Sequence, residues 1–434
     1  MNLSPLGGDT IAAIATAPGR GAVALLRVSG PGAREVVLRV TPSLGKARVQ
    51  RLAALRHPQT GELLDRGLVT YFPAPGSYTG EDTVEITTHG GALAPQLVLD
   101  ALLAAGCRPA EPGEFTRRAY LNGKLDLLQA EAVLDLIDGR SRALHRAAIH
   151  QMERGLSRRV EELREAVIGA EALIVYSIDF PEEDEPPVPP ARIRAAVEDV
   201  AARIARLLAT APEGELLRDG ALTVLAGRPN SGKSSLFNAL LGTERAIVTE
   251  IPGTTRDALE ATLSIDGYPF RLADTAGLRE TDDRVEGIGI EVARRYLAAA
   301  ELVLFCVEAE RGIEPDEAAF LAELDAARTV VVRTKADRAG ERATGKGEVL
   351  VAAPEGTGLE DLRRLLLRRA FGGILGEPGE APLVTRERHA RALRAAHDEV
   401  RGFLDAHANG VPMEYAATHL RAAAAALEEL VGAV

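Results

Sequence analysis

Apolar positions along the chain fall into three regimes. Over residues 1 to about 122 they come in short alternating runs broken by turns. Thr10–Ala15 and Ala22–Val28 predict strands flanking Pro18-Gly-Arg-Gly21, and Gly32 to Val40 predicts a helix. Leu68–Phe72 and Asp82–Thr88 predict further strands around the turn-rich Pro73–Gly80, and Ala92 to Ala105 predicts a helix that stops at Gly106. This mixture is that of an α+β domain. From Leu125 the spacing changes: Leu128, Ala132, Leu134 and Ile137 fall near helical intervals, and helical patterning continues to about Ile178. The acidic, proline-rich stretch Pro181–Pro190 ends it, and another helix is predicted over Ala191 to Thr210. In the third regime, Ala221–Ala226, Leu302–Val307, Thr329–Arg333 and Val349–Ala352 are near-continuous apolar runs, as strands buried on both faces require. Leu259–Ile265 and Tyr268–Ala273 flank the hairpin signal Asp266-Gly267. Helical stretches alternate with these strands, which predicts a doubly wound α/β sheet. After Gly376-Glu-Pro-Gly-Glu380, helical patterning resumes from Thr385 to the end.

The expected organisation is therefore an N-terminal α+β domain (1–122), a helical domain in two parts (123–216 and 379–434), and an α/β domain (217–378) inserted between them. Insertion is the economical arrangement because the ends of a compact insert lie close together. A chain of 434 residues exceeds what one hydrophobic core can organise. Its 46% hydrophobic and 26% charged residues are ordinary for a globular protein, and no apolar run approaches a membrane span. Met1-Asn-Leu-Ser-Pro5 lacks the basic-then-apolar layout of a signal peptide. Cys107 and Cys306 are the only cysteines and stand far apart, which argues against a disulfide framework and a zinc site and for a reducing cytoplasm. A net charge of −12 argues against indiscriminate nucleic-acid binding, and 4% aromatics with no Trp against a base-stacking platform.

The chemistry concentrates in Gly227-Arg-Pro-Asn-Ser-Gly-Lys-Ser234, the G-x-x-x-x-G-K-[ST] phosphate loop. It follows a predicted strand and opens a predicted helix. In that setting glycines let the backbone wrap phosphate oxygens, and N–H groups at the helix start point at the anion. Asn230, Ser231, Gly232, Lys233, Ser234 and Ser235 form the candidate site, with Lys233 reaching the β/γ-phosphates and Ser234 holding Mg²⁺. Asp274-Thr275-Ala276-Gly277 ends a predicted strand, where a carboxylate can serve the Mg²⁺ shell and the Gly277 N–H can meet the γ-phosphate. Thr334-Lys335-Ala336-Asp337 follows another strand, and Asp337 suits the guanine N1–H and exocyclic amine. An Asn is usual at position 334, so weaker base binding is expected. The next guanine-contacting segment reads Ala352-Ala-Pro354 and lacks a hydroxyl and a long cation.

Leu278 stands where Ras-like enzymes carry a water-orienting Gln, so another group must position water. Arg256 and Arg279 are open to an arginine-finger role or to surface ion pairing. Glu286, just past the D-T-A-G loop, is by position either a catalytic carboxylate or an acidic first turn of a helix. Arg140, Arg142, Arg146, Arg154, Arg158 and Arg159 interleave with Glu153, Glu161 and Glu162, which reads as a solvated helix face or as a nucleic-acid contact. G-x-S-x-G and H-E-x-x-H motifs are absent from the sequence.

These motifs, with Thr16-Ala-Pro-Gly-Arg-Gly21, Tyr78-Thr-Gly-Glu-Asp82, Pro112-Gly-Glu-Phe-Thr-Arg117, Leu121-Asn-Gly-Lys-Leu-Asp126, Gly253-Thr-Thr-Arg-Asp257 and Val285-Glu-Gly-Ile-Gly289, extend over essentially the whole chain. Together they resemble the MnmE (TrmE) family of bacterial tRNA-modification GTPases. The resemblance implies a folate-binding and dimerisation domain, a helical domain and an inserted Ras-like G domain. It implies a homodimer whose G domains meet across their nucleotide faces, with K⁺ taking the place of an arginine finger. Asn230, Thr249, Ile251 and Thr254 match K⁺ ligands, and Thr255 matches a second Mg²⁺ ligand beside Ser234. The loop Thr249-Glu250-Ile251-Pro252-Gly253-Thr254-Thr255 joins the GTP site, and Glu286 matches the water-activating carboxylate. Arg27, Glu85 and Lys124 match contacts to a tetrahydrofolate derivative (5-formyl or methylene). From the residues alone, Arg27 and Lys124 could meet its carboxylates and Glu85 the pterin edge, or each could be an ordinary surface charge. The implied reaction installs an aminomethyl-type group at C5 of the tRNA wobble uridine (position 34), in a heterotetramer with the FAD-containing MnmG.

That family usually ends in a Cys-x-Gly-Lys tail, whereas this sequence ends in Leu430-Val-Gly-Ala-Val434. Neither Cys107 nor Cys306 is placed to substitute, so GTPase activity and dimerisation are expected to stand without the tail, and the modification step only if its chemistry needs no such thiol. The alternative reading is a regulatory G-protein or assembly factor that hydrolyses GTP without modification chemistry.

Overall fold

The computed structural model describes residues 8–139, 141–179, 188–242, 260–274, 294–339, 347–372 and 384–432. The chain divides into two compact units, 1–133 with 431–434, and 134–430.

In the first unit a six-stranded sheet is built from β1 (Ile11–Ile14), β2 (Val23–Ser29), β3 (Arg51–Arg56), β4 (Leu63–Phe72), β5 (Thr83–His89) and the short β6 (Arg108–Pro109). Its order is β3-β4-β5-β2-β1-β6, antiparallel throughout except for the β1–β6 pair. Period-two alternation sorts the faces. Leu26, Val28, Val84 and Ile86 turn inward to a core shared with α1 (Ala33–Val40) and α2 (Ala94–Ala104). Arg27 and Glu85, one residue out of phase, are left on the opposite face as direct cross-strand partners. A third helix, α3 (Glu114–Leu121), follows β6, and α4 (Leu127–Asp138) begins here.

Two elements depart from the sequence expectation. β3, Arg-Leu-Ala-Ala-Leu-Arg, has no β-branched residue and is a strand because β4 pairs with it along its length. The helix α3 starts at Gly113 without a side-chain cap, so its only usual start signal is the acidic Glu114 in the first turn.

In the second unit, helices α5 (Arg142–Met152), α6 (Gly155–Asp179), α7 (Pro190–Leu208) and α8 (Ala211–Asp219) precede a second sheet. That sheet comprises β7 (Ala221–Ala226), β8 (Glu260–Ile265), β9 (Tyr268–Asp274), β10 (Leu302–Glu308), β11 (Thr329–Thr334) and β12 (Glu348–Leu350). Interleaved with it are α9 (Lys233–Gly242), α10 (Pro315–Glu323) and α11 (Leu359–Phe371). The order is β12-β11-β10-β7-β9-β8, all parallel except the β8–β9 hairpin. Alternate residues of β7 serve opposite helix layers. Leu225 packs with Leu236, Leu362 and Phe371 of α9 and α11, while Leu222 and Val224 join the core that packs Phe320 of α10. This is the expected doubly wound α/β arrangement.

After the sheet come α12 (Glu387–Ala408) and α13 (Met413–Val431). α12 packs along α7, and ion pairs Arg164–Glu428 (3.2 Å) and Arg421–Glu171 (2.6 Å) tie α13 to α6. Helices from before and after the sheet thus form one bundle, as an inserted domain requires. α8, which lies beyond the helix expected over Ala191 to Thr210, contains Gly214. A Cβ there would lie 2.1 Å from the Val384 carbonyl oxygen, so close packing retains a residue that helix propensity disfavours. Among the described residues no helix is long and apolar enough to cross a membrane.

Candidate active site

Strand β7 is buried from end to end and delivers the phosphate loop to the carboxyl edge of the sheet. Gly227 leaves β7 with φ +138°, and a Cβ on it would sit 2.4 Å from the carbonyl oxygen of Cys306 on β10. Only glycine lets the loop begin so close to the neighbouring strand. Lys233, the first residue of α9, is 5% exposed. Its Nζ curls back to donate to the carbonyls of Gly227 (3.0 Å) and Arg228 (2.7 Å). Ser234 Oγ donates to Asp274 Oδ2 at 3.0 Å, joining residues forty positions apart because β9 lies beside β7. Ser231 Oγ is buried with no hydrogen-bond partner among the described residues. Asn230 is exposed with φ +60°. The Arg228 guanidinium is drawn away to Asp316 at the start of α10.

The Thr334–Asp337 turn is tied to this loop. Thr334, at the end of β11 and 4% exposed, donates from Oγ1 to the Ser231 carbonyl at 2.6 Å. Thr334 lacks the amide usual at this position, and the fold makes it a brace for the phosphate loop. Lys335 takes φ +56° and its Nζ bonds Glu308 Oε1 at 2.5 Å, a hydrogen bond that holds the Glu308 carboxyl below the usual range. The Ala336 N–H donates to the Val351 carbonyl (3.2 Å), so the Thr-Lys-Ala-Asp turn abuts Ala352–Pro354. Asp337 is partly exposed, with Arg338 Nε at 3.8 Å. Thr249, Glu250, Ile251, Pro252, Gly253, Thr254, Thr255, Arg256, Thr275, Ala276, Gly277, Leu278, Arg279 and Glu286 lie outside the described residues.

A second polar group stands on the first unit's outer sheet face. Arg27 donates to Glu85 Oε1 from Nη2 (2.7 Å) and Nε (3.0 Å), with the Tyr78 ring 5.0 Å and the Phe115 ring 5.7 Å from its guanidinium carbon. Cross-strand pairing thus brings Arg27 and Glu85 together as one unit on this face. Lys124 Nζ donates to the Pro75 carbonyl at 3.1 Å. The aromatic neighbours were missed. They lie in the Tyr78–Asp82 and Pro112–Arg117 motifs, whose spacing says nothing of which face each ring takes.

Burial pushes both thiols, Cys107 and Cys306, up to about 12, which removes them as nucleophiles at neutral pH. Arg154 pairs with Glu161 and Arg159 with Glu162, as a solvated helix face would.

Two families match the chain: "GTP-binding protein TrmE N-terminus" over residues 10–124 and "MnmE helical domain" over residues 127–434. A tRNA modification GTPase MnmE from Heliobacterium modesticaldum is 42% identical over 98% of this chain and 96% of its own. The chain belongs to the MnmE (TrmE) family. A second MnmE, from Moorella thermoacetica, is also 42% identical over 98% of this chain and covers 95% of its own length. Among solved structures, the G domain of the T. maritima FeoB iron transporter is 27% identical over 35% of this chain and 98% of its own, with a TM-score of 0.27. The MnmE helical match runs through the inserted sheet, in keeping with a bundle contributed from both sides of it.

Proposed function

We propose that this chain is a cytoplasmic GTPase, hydrolysing GTP to GDP and phosphate in the modification of tRNA. The observation that carries this reading is the junction of Lys233, Ser234 and Asp274 at the mouth of a phosphate loop. Triphosphate oxygens take over the Lys233 ammonium from the loop carbonyls, while N–H groups at the start of α9 face the anion. Buried and without a hydrogen-bond partner among the described residues, the Ser231 hydroxyl fits an anionic acceptor. A hydroxyl and a carboxylate 3.0 Å apart suit a hard, oxygen-seeking cation, so Ser234 and Asp274 fit Mg²⁺, directly or through water. When bound, Mg²⁺ neutralises charge on the β- and γ-phosphates. Asp337 accepts from guanine, and Thr334 holds the phosphate loop in register with it.

Membership of the family supports the finer reading. Residues 217–378 act as the G domain of a homodimer, with K⁺ held by Asn230, Thr249, Ile251 and Thr254, Mg²⁺ also by Thr255, and water positioned by Glu286. Arg27 with Glu85, and Lys124, bind a tetrahydrofolate one-carbon donor, Tyr78 and Phe115 supplying flat apolar walls. The reaction on wobble uridine C5 runs with the FAD-containing MnmG.

Phosphate release from GTP at equal ionic strength in KCl and in NaCl tests the K⁺ reading, with faster turnover expected in potassium. Equal rates with nucleotide still bound would overturn it. Incubation with tRNA, MnmG and 5-formyl- or methylene-tetrahydrofolate tests the rest, modified wobble uridine being the expected product.

A further inference from the structure

Behind the Arg27–Glu85 pair lies a polar cluster that takes no part in the nucleotide chemistry. Its centre is Glu81, 15% exposed at the side chain. Glu81 Oε2 accepts from Ser29 Oγ at 2.8 Å and from Arg118 Nη1 at 3.1 Å. Ser29 is on β2 two residues beyond Arg27, and Arg118 is on α3 three residues beyond Phe115. Glu81 itself belongs to the loop that carries Tyr78, whose hydroxyl meets Thr116 Oγ1 of α3 at 2.9 Å. One carboxylate therefore pins together the three segments that supply Arg27, Tyr78 and Phe115. Arg118, 5% exposed, anchors it from behind through Asp9 (2.7 Å) and Glu114 (3.0 Å).

We propose that Glu81, held by Arg118, is the positioning residue of this pocket, setting the spacing of the Tyr78 and Phe115 rings over the Arg27 guanidinium so that a flat heteroaromatic ligand with a hydrogen-bonding edge is received between them. The proposal rests on the folate reading given above. Glu81 acts through Ser29 and Arg118 rather than on the ligand. Buried ion pairs of this kind add little net stability over apolar packing, but they fix geometry because any other arrangement strands a charge. A half-ångström displacement of a ring or a guanidinium suffices to degrade such a site.

The test is the affinity of the full-length protein for 5-formyltetrahydrofolate by isothermal titration, with melting temperature and GTP turnover measured in parallel. Glu81→Gln keeps the shape and the Ser29 hydrogen bond but loses the charge that grips Arg118, and Glu81→Ala loses both. The expected result is weaker binding by roughly tenfold in Glu81→Gln and more in Glu81→Ala, with GTP turnover unchanged. Arg108→Met is the control. Arg108 pairs with Asp9 and Glu114 on the far side of the cluster and touches neither Glu81 nor the rings, so it lowers the melting temperature and leaves folate affinity intact. Folded Glu81 variants that bind as the wild type does would overturn the positioning role alone. An Arg108→Met variant that loses affinity in step with its stability would also overturn it. Wild-type protein that binds no 5-formyltetrahydrofolate would overturn both this role and the folate reading.

Discussion

Thr334 shows how a single side chain can brace a loop of the candidate site. Its hydroxyl is the donor for the Ser231 carbonyl inside the phosphate loop. Thr334→Val is close to isosteric, so its cost is one buried acceptor left without a donor, about 1–3 kcal/mol. Titration with a fluorescent GDP analogue should show affinity falling by about tenfold or more, recovered in Thr334→Ser. Unchanged affinity in Thr334→Val would remove the brace. Gly227 is constrained twice, by φ +138° and by the 2.4 Å approach to the Cys306 carbonyl. Gly227→Ala must displace β10 or the loop, and a loss of about 1–3 kcal/mol of stability is expected, together with loss of nucleotide binding. Denaturant unfolding with and without GDP measures both. The two thiols belong to the same scale. Burial holds each at about 12, so the native protein should react with a disulfide reagent only as fast as it unfolds.

Among the elements, α3 carries the sharpest electrostatic commitment. Burial alone would raise the Glu114 carboxyl, but hydrogen bonds from Arg108, the Glu111 N–H and Arg118 outweigh it and hold it at about 2, from an ordinary 4.5. A carboxyl whose folded value is depressed contributes stability that is complete above the unfolded value and is lost as pH falls toward the folded one. The first unit should therefore weaken between pH 4.5 and 2, by on the order of 3 kcal/mol from this group. Melting temperatures across that window check it, and Glu114→Gln should flatten the profile while lowering stability at neutral pH. The sequence hid this element. α3 has no side-chain cap, and its Glu114 and Arg118 look like solvated charge until Arg108, Asp9 and Glu81 are brought to them by the fold.

At the scale of the molecule, division into two compact units predicts two calorimetric transitions. GTP with Mg²⁺ should raise only the one belonging to 134–430, by about 2.7 kcal/mol at a hundredfold excess over its Kd. A single transition shifted by nucleotide as a whole would contradict independent units. The helical bundle has a buried signature of its own in Phe403 of α12, which is 0% exposed. Phe403→Ala should cost about 3–5 kcal/mol in that same unit.

Local pattern alone determined a good deal. The continuous apolar runs of β7 and β10 read as strands covered on both faces, and the glycine and lysine spacing between β7 and α9 read as a phosphate loop. The resumption of helical patterning at Thr385 already implied an insertion. What only the tertiary structure decided is which distant residues meet. Ser234 reaches Asp274 because β9 lies beside β7, Thr334 reaches Ser231 because β11 ends above the loop, and Arg27 faces Glu85 because of antiparallel register. Sequence fixes the period of a strand or helix, which is local; it leaves to packing the register and order in which elements pair, and it is those that bring side chains tens of residues apart within hydrogen-bonding distance.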